Sequence, residues 1–196
     1  HHPVALAKRL ATLDVLSKGR MRLLTVGVGA LPGEAAAGGV DYATRGRRAD
    51  EAIDVLRLLW SGGEDGVSFD GEFYSFTSLC SYPKPLAWLP IHVGGSSRAA
   101  ARRAGLRGDG YFPGGRLTPA ERDAQLELMR ATARAAGRDA SALECTRWGS
   151  IDMSADDVAA HAAQGTTRLV VAPAATDAAG QRDELSAFAA RLGLAG

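Results

Sequence analysis

A chain of 196 residues with a formal net charge of +1, from 23 basic and 22 acidic residues, has no surplus of either sign to offer a nucleic acid or a membrane surface. Its 46% hydrophobic and 23% charged content is that of a globular chain with room for one sizeable core or two small ones, and no apolar run reaches the length of a membrane span. Only two cysteines occur, Cys80 and Cys145, far apart and without a CxxC or neighbouring histidines, so neither a disulfide framework nor a metal site is expected, and reduced thiols in the cytoplasm are.

The chain opens at His1-His2-Pro3 directly into a helical pattern, which reads as a start partway through a domain. Leu6, Leu10, Leu13 and Leu16 recur at helical spacing, and Gly19 suits the position after that helix. "MRLLTVGVG" (21–29) follows as a nearly continuous apolar run, the pattern of a strand buried on both faces. A glycine-bearing loop to about residue 41 leads to a second helix with Ala49, Ile53, Leu56 and Trp60 on one face. "VSFDGEFYSF" (67–76) sets Asp70-Gly71 between two alternating aromatic arms, which predicts a β-hairpin with a two-residue turn. "YPKPLAWLP" (82–90) is a proline-rich connector that cannot be helical.

From there strands and helices alternate. "IHV" (91–93) is a strand followed by a short helix over 97–104, and "GDGYFPGG" (108–115) is a strand bounded by glycines. "TPAE" (118–121) is a capping box with proline at the first helical position, opening a helix that ends at Gly137. "ALECTRWGSID" (142–152) is a strand, "SADD" (154–157) caps another helix, "RLVVAP" (168–173) is the last strand and 180–192 the last helix. Five strands, each followed by a helix, require a parallel sheet with right-handed crossovers. A doubly wound open sheet and part of an eightfold barrel both satisfy that order, and both place their sites beyond the carboxyl ends of the strands.

As an ordered set, "HHPVALAKRLATLDVLSKGRMRLLTVGVG", "DYATRGRRADEAIDVLRLLW", "VSFDGEFYSF", "YPKP", "PIHVGGSS" and "GDGYFP" resemble the bacterial luciferase-like monooxygenase family, in its flavin- and deazaflavin-dependent oxidoreductase branch. The resemblance runs from about His2 to the last helix. It implies a single α/β domain over 1–196 of the (β/α)8 TIM-barrel type, this chain supplying about strands four to eight with an inserted β-hairpin and lacking strands one to three. It also implies FMN or a deazaflavin coenzyme bound at the C-terminal face, and a homodimer. Where some deazaflavin members place a glutamate beside the ring, this chain has Ala30, with Glu34 further into the loop.

Gly94, Gly95, Ser96 and Ser97 occupy a strand-to-helix turn. Without Cβ atoms the backbone approaches an anion closely, and unpaired N–H groups at a helix start point toward it. The plain alternative is a tight turn in which Ser96 or Ser97 caps the helix. The resemblance implies that this turn holds the cofactor phosphate, and Gly114-Gly115, one strand along, offers a second glycine turn on the same face. A valine at Gly95 is expected to obstruct the anion with little effect on the fold. Gly108 and Gly110 read as packing glycines, and Asp109 as structural, since a carboxylate beside a phosphate is repulsive.

His2 is the single acid–base candidate, against the plain reading of an exposed chain end. His92, between Ile91 and Val93, reads as a satisfied core histidine. His161 lies in a helix without metal-ligand partners, and Trp148 is either pocket lining or core. No Ser-His-Asp arrangement, paired carboxylates or Walker-type loop is legible. The expected function is an oxidoreductase or monooxygenase using reduced FMN or a deazaflavin on a small organic substrate. The alternative is a non-catalytic barrel remnant that binds a phosphorylated ligand or a partner chain; a phosphosugar enzyme has only fold-level support.

Overall fold

In the computed structural model of the protein, residues 1–194 are described apart from 22, 28, 30, 115 and 116. The first helix, α1 (Pro3–Leu16), leads to strand β1 (Leu23–Val26). Helix α3 (Arg45–Ser61) follows after a six-residue helix α2 (Pro32–Ala37), where the sequence pattern predicts a loop; Pro32 at its first turn and the alanines behind it suffice to form it. A hairpin of β2 (Val67–Asp70) and β3 (Ser75–Leu79) precedes β4 (Ile91–Gly94) and α4 (Arg98–Arg107). Then come β5 (Gly110–Phe112), α5 (Pro119–Ala135), β6 (Glu144–Gly149), α6 (Ala155–Ala163), β7 (Arg168–Val171) and α7 (Ala178–Arg191). Strands β1, β4, β5, β6 and β7 form one sheet in that order, every neighbouring pair parallel.

The two faces of this sheet differ in kind. Ile91, Val93, Tyr111 and Cys145 point one way and share a buried core with Ala7 of α1, Ile53, Leu56 and Leu59 of α3, Ala101 and Ala104 of α4, and Leu126 and Met129 of α5. Each fully buried valine, leucine, isoleucine or methionine among them contributes about 1.5–3 kcal/mol. The alternate residues His92, Phe112, Thr146 and Trp148 face the other way. Helices packed on one face, with the strands' own side chains meeting on the other, are the arrangement of a barrel wall rather than a doubly wound sheet.

On that inner face His92 is only 1% exposed. Its Nδ1 lies 2.9 Å from the Thr146 hydroxyl, and its Nε2 lies 2.9 Å from a carboxylate oxygen of Glu144. Arg168 pairs with the same oxygen at 2.6 Å. Burial first, then the Arg168 guanidinium, hold His92 below its ordinary value against the opposing pull of Glu144. His92 is thus the satisfied core histidine expected. Its ring reaches β6 because Gly110, its register partner on β5, has no side chain: a Cβ there would lie 2.6 Å from His92 Cε1 and 2.8 Å from the Glu144 carbonyl oxygen.

The hairpin departs from expectation at its turn. Asp70 pairs with Ser75, so the turn is the four residues Gly71 to Tyr74, closed by Gly71 N–H donating to the Tyr74 carbonyl at 2.9 Å. The cause is tertiary. The Glu51 carboxylate on α3 accepts from the backbone N–H groups of Glu72, Phe73 and Tyr74 at 2.8, 2.9 and 3.3 Å. Arg47 pairs with Glu72, and Arg48 lies over the Phe73 ring at 4.2 Å. Gly71 serves Glu51's approach, since a Cβ there would meet that carboxylate at 2.5 Å.

At the opposite end of the sheet Asp109 accepts from Arg57, from Trp88 Nε1 at 2.9 Å and from the Ile91 N–H at 2.7 Å. The carboxylate ties α3 and the connector to the base of β4, the structural role expected of it.

Gly110→Ala is expected to cost about 1–3 kcal/mol of stability by overpacking against His92 and the Glu144 backbone. A urea midpoint equal to that of the parent would contradict this account of the inner face.

Candidate functional site

Strand β4 ends at Gly94 and the chain turns at Gly95, whose φ is +115°, outside the range that side chains with a Cβ adopt. Gly94 itself faces Thr25 of β1, and a Cβ on it would collide with the Thr25 hydroxyl, so this glycine admits the neighbouring strand. Ser97 is the N-cap of α4, its hydroxyl accepting from the Ala100 N–H at 3.1 Å. The plain reading of the turn therefore holds for Ser97. It does not use up the turn. Gly95 donates to the Phe112 carbonyl at 3.3 Å, while the backbone N–H groups of Ser96, Ser97, Arg98 and Ala99 have no partner among the described residues. All four residues are exposed, and no acidic side chain occupies the first turn of α4. The helix start thus presents a run of donors and the positive end of its dipole to solvent.

The position of this run is fixed from below. The Gln125 amide on α5 donates to the Ser96 carbonyl and accepts from the buried Tyr111 hydroxyl on β5. Burial pushes the Tyr111 phenol far above its usual value, so it remains a donor. Neither Gln125 nor Tyr111 stands out as a candidate in the sequence. Their one signal there is the i, i+3 and i+4 placement of Gln125 beside Arg122 and Glu121 on an otherwise ordinary amphipathic helix, which carries no chemistry.

Gly114 lies two residues past the end of β5, half-buried, with nothing within 4 Å of where a Cβ would stand. Because Gly94 pairs with Phe112 in parallel register, the turns after β4 and β5 open on the same face. Gly115 and Ala30 lie outside the described residues, and Glu34 sits exposed in the first turn of α2. His2 caps α1, its Nδ1 accepting from the Val4 N–H at 3.4 Å, and meets the Tyr74 ring edge-on at 5.2 Å. Those contacts join it to the hairpin; none joins it to residues 94–97. Trp148 is 60% exposed on the inner face at the C-terminal end of β6, with the Phe112 ring 5.3 Å away, so it is an open wall and not core. The expectation for Gly95→Val is corrected by the φ of +115°: a β-branched residue there strains the backbone whatever it does to a ligand.

Residues 1–187 match the family described as luciferase-like monooxygenase, and the chain belongs to that family. It is 40% identical over 136 residues to the FMNH2-dependent dimethylsulfone monooxygenase of Pseudomonas fluorescens, covering 68% of this chain and 36% of that protein. It is 31% identical over 169 residues to the F420-dependent glucose-6-phosphate dehydrogenase of Kineococcus radiotolerans, covering 85% of this chain and 49% of that protein. An F420-dependent secondary alcohol dehydrogenase, solved with an F420-acetone adduct, superposes with a TM-score of 0.82 at 18% identity, over 98% of this chain and 76% of its own. The chain spans between about a third and a half of the length of these curated relatives. The shared fold makes the five-stranded sheet an arc of a (β/α)8 barrel, and the turn 94–97 stands at the carboxyl end of its strands. Among the described residues no helix is long and apolar enough to cross a membrane.

Loss of the cap in Ser97→Ala is expected to lower stability by about 1 kcal/mol, whereas Ser96→Ala stays within about 0.5 kcal/mol. Equal denaturation midpoints for the two variants would contradict this division of roles.

Proposed function

We propose that the protein is a flavin- or deazaflavin-dependent oxidoreductase acting on a small organic substrate, and that the turn after β4 seats the phosphate of the cofactor. The observation that carries this reading is the run of unpartnered, exposed N–H groups from Ser96 to Ala99 behind a left-handed Gly95. A phosphate needs several convergent donors and a close backbone approach, and this turn supplies both. The residues present fit the group. Gly95 and Ser96 would hold the phosphate with the start of α4, and Gly114, with Gly115 beyond it, would admit it from the neighbouring strand.

When bound, the reduced ring supplies a hydride or, with dioxygen, the means of oxygenating a substrate. This chain's residues bind and orient. Gln125 and Tyr111 keep the turn at one position, and Phe112 and Trp148 offer an apolar wall on the inner face, where water is displaced when a ring or substrate packs against them. Relatives of both kinds, FMNH2-dependent and F420-dependent, support either cofactor. We also propose a cytoplasmic homodimer. Both cysteines are free thiols, and among the described residues β1 and β7 each pair with one neighbour, strand edges that a second copy or further strands of the barrel can cover.

The binding claim is tested with Ser96→Glu, which sets a carboxylate among the donors without altering φ at Gly95. Titration with FMN and with the deazaflavin coenzyme is expected to show affinity lowered about tenfold to a hundredfold, as the loss of one charged hydrogen bond requires. Riboflavin, which lacks the phosphate, is expected to bind parent and variant alike. Equal FMN and deazaflavin affinities in parent and variant would reduce the turn to a helix cap. Light scattering of the same preparation is expected to give twice the chain mass, and a monomer mass overturns the dimer.

A further inference from the structure

A cavity of about 940 Å3 opens between α1 and strand β3 of the hairpin, walled by Val4 and Leu13 of the helix and Phe76 and Leu79 of the strand. Phe76 and Leu79 are three residues apart and would lie on opposite faces of an unbroken strand. A bulge brings them together. Val67 pairs with Leu79 and Phe69 with Phe76, so β3 holds one residue more than β2 over the same stretch. The bulge is held at Ser78, whose φ is +50° and whose N–H donates to the Ser68 hydroxyl at 3.0 Å. Gly66 leaves it room, since a Cβ there would lie 2.7 Å from the Ser78 carbonyl. A left-handed backbone is uncommon outside glycine, and here it turns two apolar side chains toward α1.

Most polar groups in the lining are already occupied. The Thr12 hydroxyl donates to the Lys8 carbonyl at 2.9 Å, and the Ser75 hydroxyl to Asp70 at 3.4 Å. His2 accepts from the Val4 N–H and meets Tyr74 edge-on. Lys8 and Arg9 remain: both are exposed, and neither side chain has a partner among the described residues. None of the described lining residues is acidic. Leu13, 50% exposed, leaves the apolar wall open to solvent.

An apolar cavity of this size with two free cations in its lining fits a ligand with an apolar body and one negative end. A small inorganic anion would leave the walls wet, and a neutral lipid would leave the cations unused. A second copy seated across a twofold axis would set Lys8 and Arg9 toward the same residues of its partner, with no acid in the lining to offset them. We infer that this groove binds an unbranched carboxylate amphiphile of the fatty-acid class, its chain along Val4, Leu13, Phe76 and Leu79 and its carboxylate paired with Lys8 or Arg9. The site shares no residue with the turn after β4 and does not rest on the cofactor reading.

Calorimetric titration of the full chain compares decanoate with decyltrimethylammonium, which has the same chain and the opposite charge, and with acetate, which has the charge alone. Decanoate is expected to bind saturably, decyltrimethylammonium at least about tenfold more weakly, and acetate not at all. Lys8→Glu combined with Arg9→Glu, both at exposed positions, is expected to reverse the order of the two amphiphiles. Leu13→Ser is expected to weaken both by about tenfold, as loss of one apolar wall requires. Ser96→Glu is expected to leave decanoate binding unchanged, and light scattering to give Leu13→Ser the mass of the parent. The proposal is overturned if decanoate shows no saturable binding, if the two amphiphiles bind alike, or if their order survives the double charge reversal. It is also overturned if Leu13→Ser halves the mass, which assigns the groove to a second copy.

Discussion

The register between β4 and β5 is the constraint on which the rest depends. Setting His92 opposite Gly110 lets an imidazole cross one strand and reach Thr146 and Glu144 on the next. That crossing fills the lower part of the inner face with a hydrogen-bonded polar cluster where a cavity or an unpaired charge would otherwise stand. The same register carries Gly94 level with Phe112, so that the two strands end together and their turns face one direction. A slip of one residue would reverse every side chain on β5 and bring Tyr111 into the barrel interior, where Gln125 cannot meet it.

The turn after β4 shows how one short segment serves both packing and recognition. Its two glycines have different duties: Gly94 admits β1, and Gly95 supplies the left-handed bend. Its two serines also divide, with Ser97 closing the helix and Ser96 left open to solvent. A turn stripped to its structural needs would satisfy more of its own donors. Leaving four of them exposed costs little in water and becomes favourable once an anion arrives.

The order of strands and helices was legible in the sequence because apolar periodicity and capping residues are local. "TPAE" and "SADD" form the capping boxes they spell, and Ile53 and Leu56 bury the face they mark. What was not legible depended on distant partners. The Asp70-Gly71 pair reads as a two-residue turn until Glu51, nearly twenty residues away, gathers three N–H groups of the loop. Barrel and open sheet could not be told apart from alternation alone, since the difference lies in whether helices cover one face or two. At the site, the glycines and serines announced themselves by composition. Gln125 did not, because a polar residue on an amphipathic helix looks like solvent exposure until the fold buries it.

Gln125 carries a consequence of its own. The Ser96 carbonyl only accepts, so the amide must turn its nitrogen toward it, and the oxygen is then left to face Tyr111, which has no choice but to give its proton. The chain of polarity runs one way, from phenol to amide to main chain. Glutamate would match glutamine in shape almost atom for atom, yet at neutral pH it has no hydrogen to offer, and two oxygens would confront each other beneath the turn. At this position volume is negotiable and the direction of the dipole is not.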